Sequence, residues 1–181
     1  MKNSKPKLLG VLMVLFLLLS GCGKSNALVG SWSDASSGYE LIYTFENDGT
    51  SAVSVCYTYS VDGDALTIAE ADIFNYKIDD QTLTLSSDGV EFLAMTRTAE
   101  NNGAGNDIIG AWEYEESGVK VICTFGNNGE YSMAFPGTYA VGGNTLTIIM
   151  GSEEEAYTYK VNGKTLTLSA EDIEDIVLTK K

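Results

Sequence analysis

Shifted by 80 residues, the second half of this chain lies on its first. Gly30-Ser31-Trp32 falls on Gly110-Ala111-Trp112, and Ile42, Thr44 and Phe45 fall on Ile122, Thr124 and Phe125. Asn47-Asp48-Gly49 matches Asn127-Asn128-Gly129, Thr58-Tyr59 matches Thr138-Tyr139, and Leu66-Thr67-Ile68 matches Leu146-Thr147-Ile148. Beyond that point the shift becomes 83, pairing Tyr76-Lys77 with Tyr159-Lys160 and Thr82 to Ser86 with Thr165 to Ser169. The three extra residues lie around Gly151 to Glu155 and mark that stretch as a loop tip. Identities this numerous and in the same order imply two homologous units, and so long a period implies tandem domains rather than a solenoid.

Each unit reads as all-β. Apolar residues alternate with polar ones in Leu41-Tyr43-Phe45, Tyr57-Tyr59-Val61, Leu66-Ile68, Phe74-Tyr76-Ile78 and Leu83-Leu85. The second unit repeats the pattern in Val121-Cys123-Phe125, Tyr139-Val141, Leu146-Ile148-Met150, Tyr157-Tyr159-Val161 and Leu166-Leu168. A period of two puts one set of side chains on the buried face of a strand. Turn signals separate the runs: Asp48-Gly49, Asp62-Gly63, Asp79-Asp80, Asn128-Gly129, Gly143-Asn144 and Asn162-Gly163, several of them supplying the positive φ that tight hairpins need. Pro136 is expected where a strand ends or bulges. Glu171 to Asp175 is expected as a loop before a last strand. Seven or eight short strands per unit, joined by local turns, make an antiparallel meander, whose edges are best removed by closing a barrel. The expected fold is two tandem antiparallel meander barrels, with Tyr43, Phe45, Tyr59, Leu66, Tyr76 and Leu83 pointing inward.

The N-terminus carries a different signal. Lys2, Lys5 and Lys7 precede the apolar run Leu8 to Leu19, which is too short to span a bilayer as a helix. The run ends in Leu19-Ser20-Gly21-Cys22, which resembles the lipobox of bacterial lipoprotein precursors. The resemblance implies that residues 1–21 are a signal peptide and that Cys22 becomes a lipidated N-terminus on the extracytoplasmic face of the membrane. Residues 22–27 would then be a tether, 28–98 the first barrel, 99–107 a polar linker and 108–181 the second barrel.

Charge and composition exclude several functions. The chain has 25 acidic against 11 basic residues, a net charge of −14, and losing Lys2, Lys5 and Lys7 with the signal peptide would deepen this to −17. So acidic a surface repels phosphate backbones, so no nucleic-acid partner is expected, and it favours a soluble monomer. The absence of histidine removes the commonest general base and transition-metal ligand together. Cys56 and Cys123 occupy non-equivalent positions in the repeat; a disulfide would have to bridge the halves, and free thiols in half-buried strands fit better. The acidic groups Asp62-Gly63-Asp64, Asp79-Asp80, Glu153-Glu154-Glu155 and Glu171 to Asp175 lack the ligand spacing of a calcium loop. No metal and no cofactor are expected.

The Gly-x-Trp opening each unit, Gly30 with Trp32 and Gly110 with Trp112, followed by a meander, resembles the lipocalin superfamily. Each half is similar to the small lipocalin-like domains of unknown function found in lipoproteins of Gram-positive bacteria. The resemblance implies that both tryptophans plug a barrel core, and it brings no catalytic residue and no ligand. The first unit departs from the pattern at Cys56-Tyr57, where the second has Pro136-Gly137. The function expected is a non-enzymatic, lipid-anchored binding or spacer module, its ligand a protein, a glycan or a small apolar molecule. A carrier of apolar molecules by lipocalin analogy is the alternative, and an enzyme working through paired carboxylates comes third.

Overall fold

The computed structural model describes residues 27–36, 38–98, 107–171 and 173–181. Leu19, Ser20, Gly21 and Cys22 lie outside the described residues, as do most of the tether and the linker. The first repeat forms β1 (Gly30–Asp34), β2 (Glu40–Phe45), β3 (Thr50–Asp62), β4 (Ala65–Ile68), β5 (Asp72–Asp79), β6 (Thr82–Ser87) and β7 (Val90–Arg97). The second forms β8 (Gly110–Glu116), β9 (Val119–Phe125), β10 (Glu130–Gly142), β11 (Thr145–Met150), β12 (Glu153–Asn162), β13 (Thr165–Ser169) and β14 (Ile176–Lys180). All pair antiparallel with their sequence neighbours, and β14 returns to β1, so one sheet of 14 strands closes into a ring.

Closure takes place across the repeats rather than within them. Strand β1 pairs with β14, Trp32 opposite Lys180, and β7 pairs with β8, Arg97 opposite Trp112. The segment read as an inter-domain linker therefore joins two paired strands. The long strands β3 and β10 also pair with each other, from Thr50 opposite Thr138 to Thr58 opposite Glu130. That rung divides the ring into two circuits of eight strands, one running from β3 to β10, the other from β10 through β14 and β1 to β3.

Each circuit encloses a core built from both repeats. One core combines Leu28, Trp32, Tyr43 and Phe45 with Leu146, Ile148, Tyr157, Leu166, Leu168 and Leu178. The other combines Leu66, Leu83, Leu85 and Met95 with Ile108, Trp112, Val121, Cys123, Phe125 and Tyr131. The residues expected to point inward do so: Tyr43, Phe45, Leu66 and Leu83 are buried, and Tyr59 and Tyr76 pack against the second core. They are shared between two cores, however, rather than filling one.

Strand β3 is continuous through the crossing. Residues 50–62 contain no Gly, Pro or Asn, so nothing lets the strand bend sharply back onto its own repeat. It runs straight from one circuit into the other. Strand β10 runs likewise, and Pro136 lies inside it rather than at an end or bulge. Pairing with β9 stops at Ala134 and pairing with β11 starts at Thr138, so on that side the missing N–H of Pro136 costs no ladder bond. Reciprocal clasps extend the crossing. Tyr59 donates its N–H to the Gly129 carbonyl and its hydroxyl to the Gly126 carbonyl, at 2.8 and 2.7 Å. Tyr139 does the same to the Gly49 and Glu46 carbonyls, at 2.9 and 2.8 Å.

The two Gly-x-Trp motifs occupy equivalent places. Both rings are fully buried, and each donates its indole N–H to a backbone carbonyl four residues earlier: Trp32 to Leu28 at 2.6 Å, Trp112 to Ile108 at 2.8 Å. Gly30 and Gly110 have φ of 119° and 121°, which L side chains rarely adopt. A Cβ at Gly30 would also press to 3.2 Å from the Lys180 stem that crosses Trp32.

A cleft at the strand crossing

The repeats differ in length in one hairpin. The stretch expected as a loop tip holds one at Gly151-Ser152, while its other residues, Glu153 to Glu155, belong to β12. They lengthen the β11–β12 ladder, with Met150 opposite Glu153, Ile149 opposite Glu154 and Ile148 opposite Glu155, and the chain turns at Gly151-Ser152. Strand β11 of this hairpin runs beside β10 in the sheet, with Ile149 opposite Thr138. A Cβ at Gly137 would collide with the Ile149 carbonyl, and one at Gly151 with the Gly118 carbonyl. Gly137 is therefore a requirement of close backbone approach.

In the first repeat the same hairpin stops short. Strand β4 ends at Ile68, and the chain reverses through Ala69 and Glu70, with the Ala71 N–H bonded to the Ile68 carbonyl at 3.2 Å. Both turn residues are left-handed, with φ of 54° and 59°. That is the backbone of a tight hairpin turn, usually given to Asn and Gly. A non-glycine residue held there costs on the order of 1–3 kcal/mol. The strain falls at the rim of a cleft, which Ala69 and Glu70 line.

The uncovered space is a cleft of about 850 Å³ at the crossing of β3 and β10. Tyr57 stands where the second repeat has Gly137. Its ring stacks on that of Tyr131, its partner across the β3–β10 ladder, with centroids 6.4 Å apart and planes at 24°. Tyr39, just before β2, lies beside Tyr57, at 5.8 Å and 47°. Glu40, Glu70 and Glu130 reach the same cleft with Lys181, whose ammonium is 2.8 Å from Glu40. The hydrogen bond from Lys181 holds the Glu40 carboxyl below the usual glutamate range, against partial desolvation.

The cysteines are both free. Cys56 lines the cleft, and burial raises its thiol pKa, with Glu40 adding to the rise, Lys181 opposing it and Glu130 adding further. Cys123 is buried, accepts the Tyr131 hydroxyl at 3.3 Å and is also raised, chiefly by burial. A thiol kept protonated is a poor nucleophile.

The acidic runs noted in the sequence fall apart in space. Asp62 and Asp64 flank the β3–β4 turn, Asp79 and Asp80 the β5–β6 turn, and Glu153 to Glu155 lie in β12. Glu171 and residues 173–175 lie between β13 and β14, outside any strand or helix. Among the described residues no three acidic or cysteine side chains converge as a metal site. Glu155 instead accepts a 2.5 Å hydrogen bond from Tyr157, and burial, together with that bond, pushes the phenol well above its ordinary range.

The cleft was partly visible in the sequence, in the exchange of Pro136-Gly137 for Cys56-Tyr57 and in the three-residue length difference. Nothing in Ala69-Glu70 signalled so tight a turn. No protein-family model, curated protein or solved structure matches the chain.

Proposed function

We propose that this chain is a lipid-anchored, extracytoplasmic, non-enzymatic binding module that takes its ligand in the cleft at the β3–β10 crossing. The two eight-strand circuits serve as a pair of interlocked, small lipocalin-like barrels that hold the cleft rigid. One observation carries the reading: of two equivalent positions, one is closed by a long hairpin against Gly137 and the other is opened by a short, strained hairpin beside Tyr57. A pure spacer would gain nothing from that difference. Carriage inside a barrel, the lipocalin analogy, would need interior room, yet ten buried side chains including a tryptophan meet in each core.

The address rests on Leu19-Ser20-Gly21-Cys22 behind a short apolar run. Metabolic labelling with a palmitate analogue is expected to mark the wild-type protein and to leave Cys22→Ser unmarked. Equal labelling of both would remove the anchor from the proposal.

Binding is tested by blocking the cleft from its rim. Thr124 is exposed on β9 and lines the cleft, so Thr124→Trp fills space without entering a core. In a thermal-shift panel of amines, sugars and fatty acids, at least one class is expected to raise the wild-type melting temperature. Thr124→Trp is expected to abolish that shift while keeping the unliganded melting temperature. A ligand that stabilises both forms equally binds elsewhere and overturns the assignment.

A further inference from the structure

If the cleft is the binding site, its lining also defines the chemistry of the ligand. Two features coincide there. The first is a row of aromatic faces, Tyr39, Tyr57 and Tyr131, of which Tyr39 is 39% exposed. The second is an unbalanced charge: Glu40, Glu70 and Glu130 line the cleft with Lys181, and Lys181 is already taken by Glu40. Two carboxylates are left over. Glu70 is carried on the constrained left-handed turn and Glu130 on the β3–β10 ladder, so both are presented from fixed backbone. At longer range, a chain of net charge −14 draws cations toward any opening.

Aromatic faces carry negative electrostatic potential and attract ammonium groups within about 6 Å, most strongly where water is partly excluded. We infer that the cleft binds a compact organic cation, an alkylammonium or quaternary ammonium group, seated against the faces of Tyr39 and Tyr57 with Glu70 and Glu130 as counter-charges. A hydrated metal ion fits less well, because the rings offer it no oxygen ligands.

The test is an NMR titration of the mature chain in soluble Cys22→Ser form. The probes are choline chloride and its neutral isostere, in which carbon replaces the quaternary nitrogen. Choline is expected to give saturable shifts at the amides of Tyr39, Tyr57 and Ser132, with the isostere binding at least about fivefold more weakly. Tyr39→Ala is expected to weaken choline roughly 5- to 30-fold, the loss of one cation–aromatic contact. Glu70→Gln with Glu130→Gln should weaken choline and leave the isostere unchanged. All these side chains are at the surface of the cleft, and an unaltered denaturation midpoint confirms that each variant folds. Equal affinity for choline and the isostere at these amides would overturn the cationic ligand and leave the cleft assignment standing. No saturable choline shift there would also overturn it. The cleft itself falls only if the Thr124→Trp comparison fails as well.

Discussion

Expressed as separate chains, residues 28–98 and 108–181 are expected to remain unfolded singly and to fold on mixing as a one-to-one pair. The reason lies in how the cores are shared. A lone first repeat supplies Leu28, Trp32, Tyr43 and Phe45 to one core and Leu66, Leu83, Leu85 and Met95 to the other, less than half of each. It would also leave β1 without β14, β7 without β8 and most of β3 without β10, three unpaired edges on a chain of about 70 residues, a size at which a complete core is already marginal. The second repeat faces the same open edges. Circular dichroism melts and sedimentation equilibrium on each half and on the mixture check this directly. A cooperative, monomeric melt from either half would mean that a repeat can close on itself. In the intact chain both circuits share β3 and β10, so one unfolding transition is expected rather than two.

Partner choice between strands was the part of the fold that the sequence pattern left open. Alternation located β2, β4, β5 and β6 and their counterparts because a half-buried strand must present one apolar face. It also placed Tyr43, Phe45, Leu66 and Leu83 inside. The same alternation is nearly identical in the two repeats, so it cannot say whether Trp32 lies beside Arg97 or Lys180, which are equivalent residues with the same charge. Either pairing satisfies the local pattern. Strand breakers do not decide it either, since β3 crosses without Gly or Pro and β10 crosses through Pro136-Gly137. The alternating run Tyr57-Tyr59-Val61 revealed only the last part of β3. The stretch before it, Ser51 to Cys56, is small and weakly patterned, and it pairs with both β2 and β10. The cleft escaped for a related reason. Its residues come from in and around β2, the turn after β4, the end of β9, the middle of β3, the start of β10 and Lys181, brought together only by a crossing that local pattern does not encode.

Trp32→Ala and Trp112→Ala are each expected to cost about 3–5 kcal/mol, the range for truncating a fully buried aromatic side chain. Urea midpoints at unchanged slope would report the loss. Both rings are fully buried, and both removals would take an indole donor from a backbone carbonyl, that of Leu28 or Ile108, as well as opening a cavity. The two sites differ in their cation. Arg97 lies 4.1 Å from the Trp112 ring and is only 6% exposed, while its Nη2 donates to the Asp107 carbonyl at 2.8 Å. The Lys180 ammonium sits 4.8 Å from Trp32 and donates to the Val29 carbonyl at 3.0 Å from a wetter position. Desolvation strengthens a cation–aromatic contact, so the Arg97–Trp112 coupling in a double-mutant cycle is expected near about 2 kcal/mol and the Lys180–Trp32 coupling at about 0.5–1 kcal/mol. In each pair the cation belongs to the last strand of one repeat and the tryptophan to the first strand of the other. Coupling between Trp32 and Lys180 therefore measures, in solution, the exchange between repeats. A loss below about 1 kcal/mol for either tryptophan would place that ring at the surface, since only a ring outside the core can be truncated so cheaply.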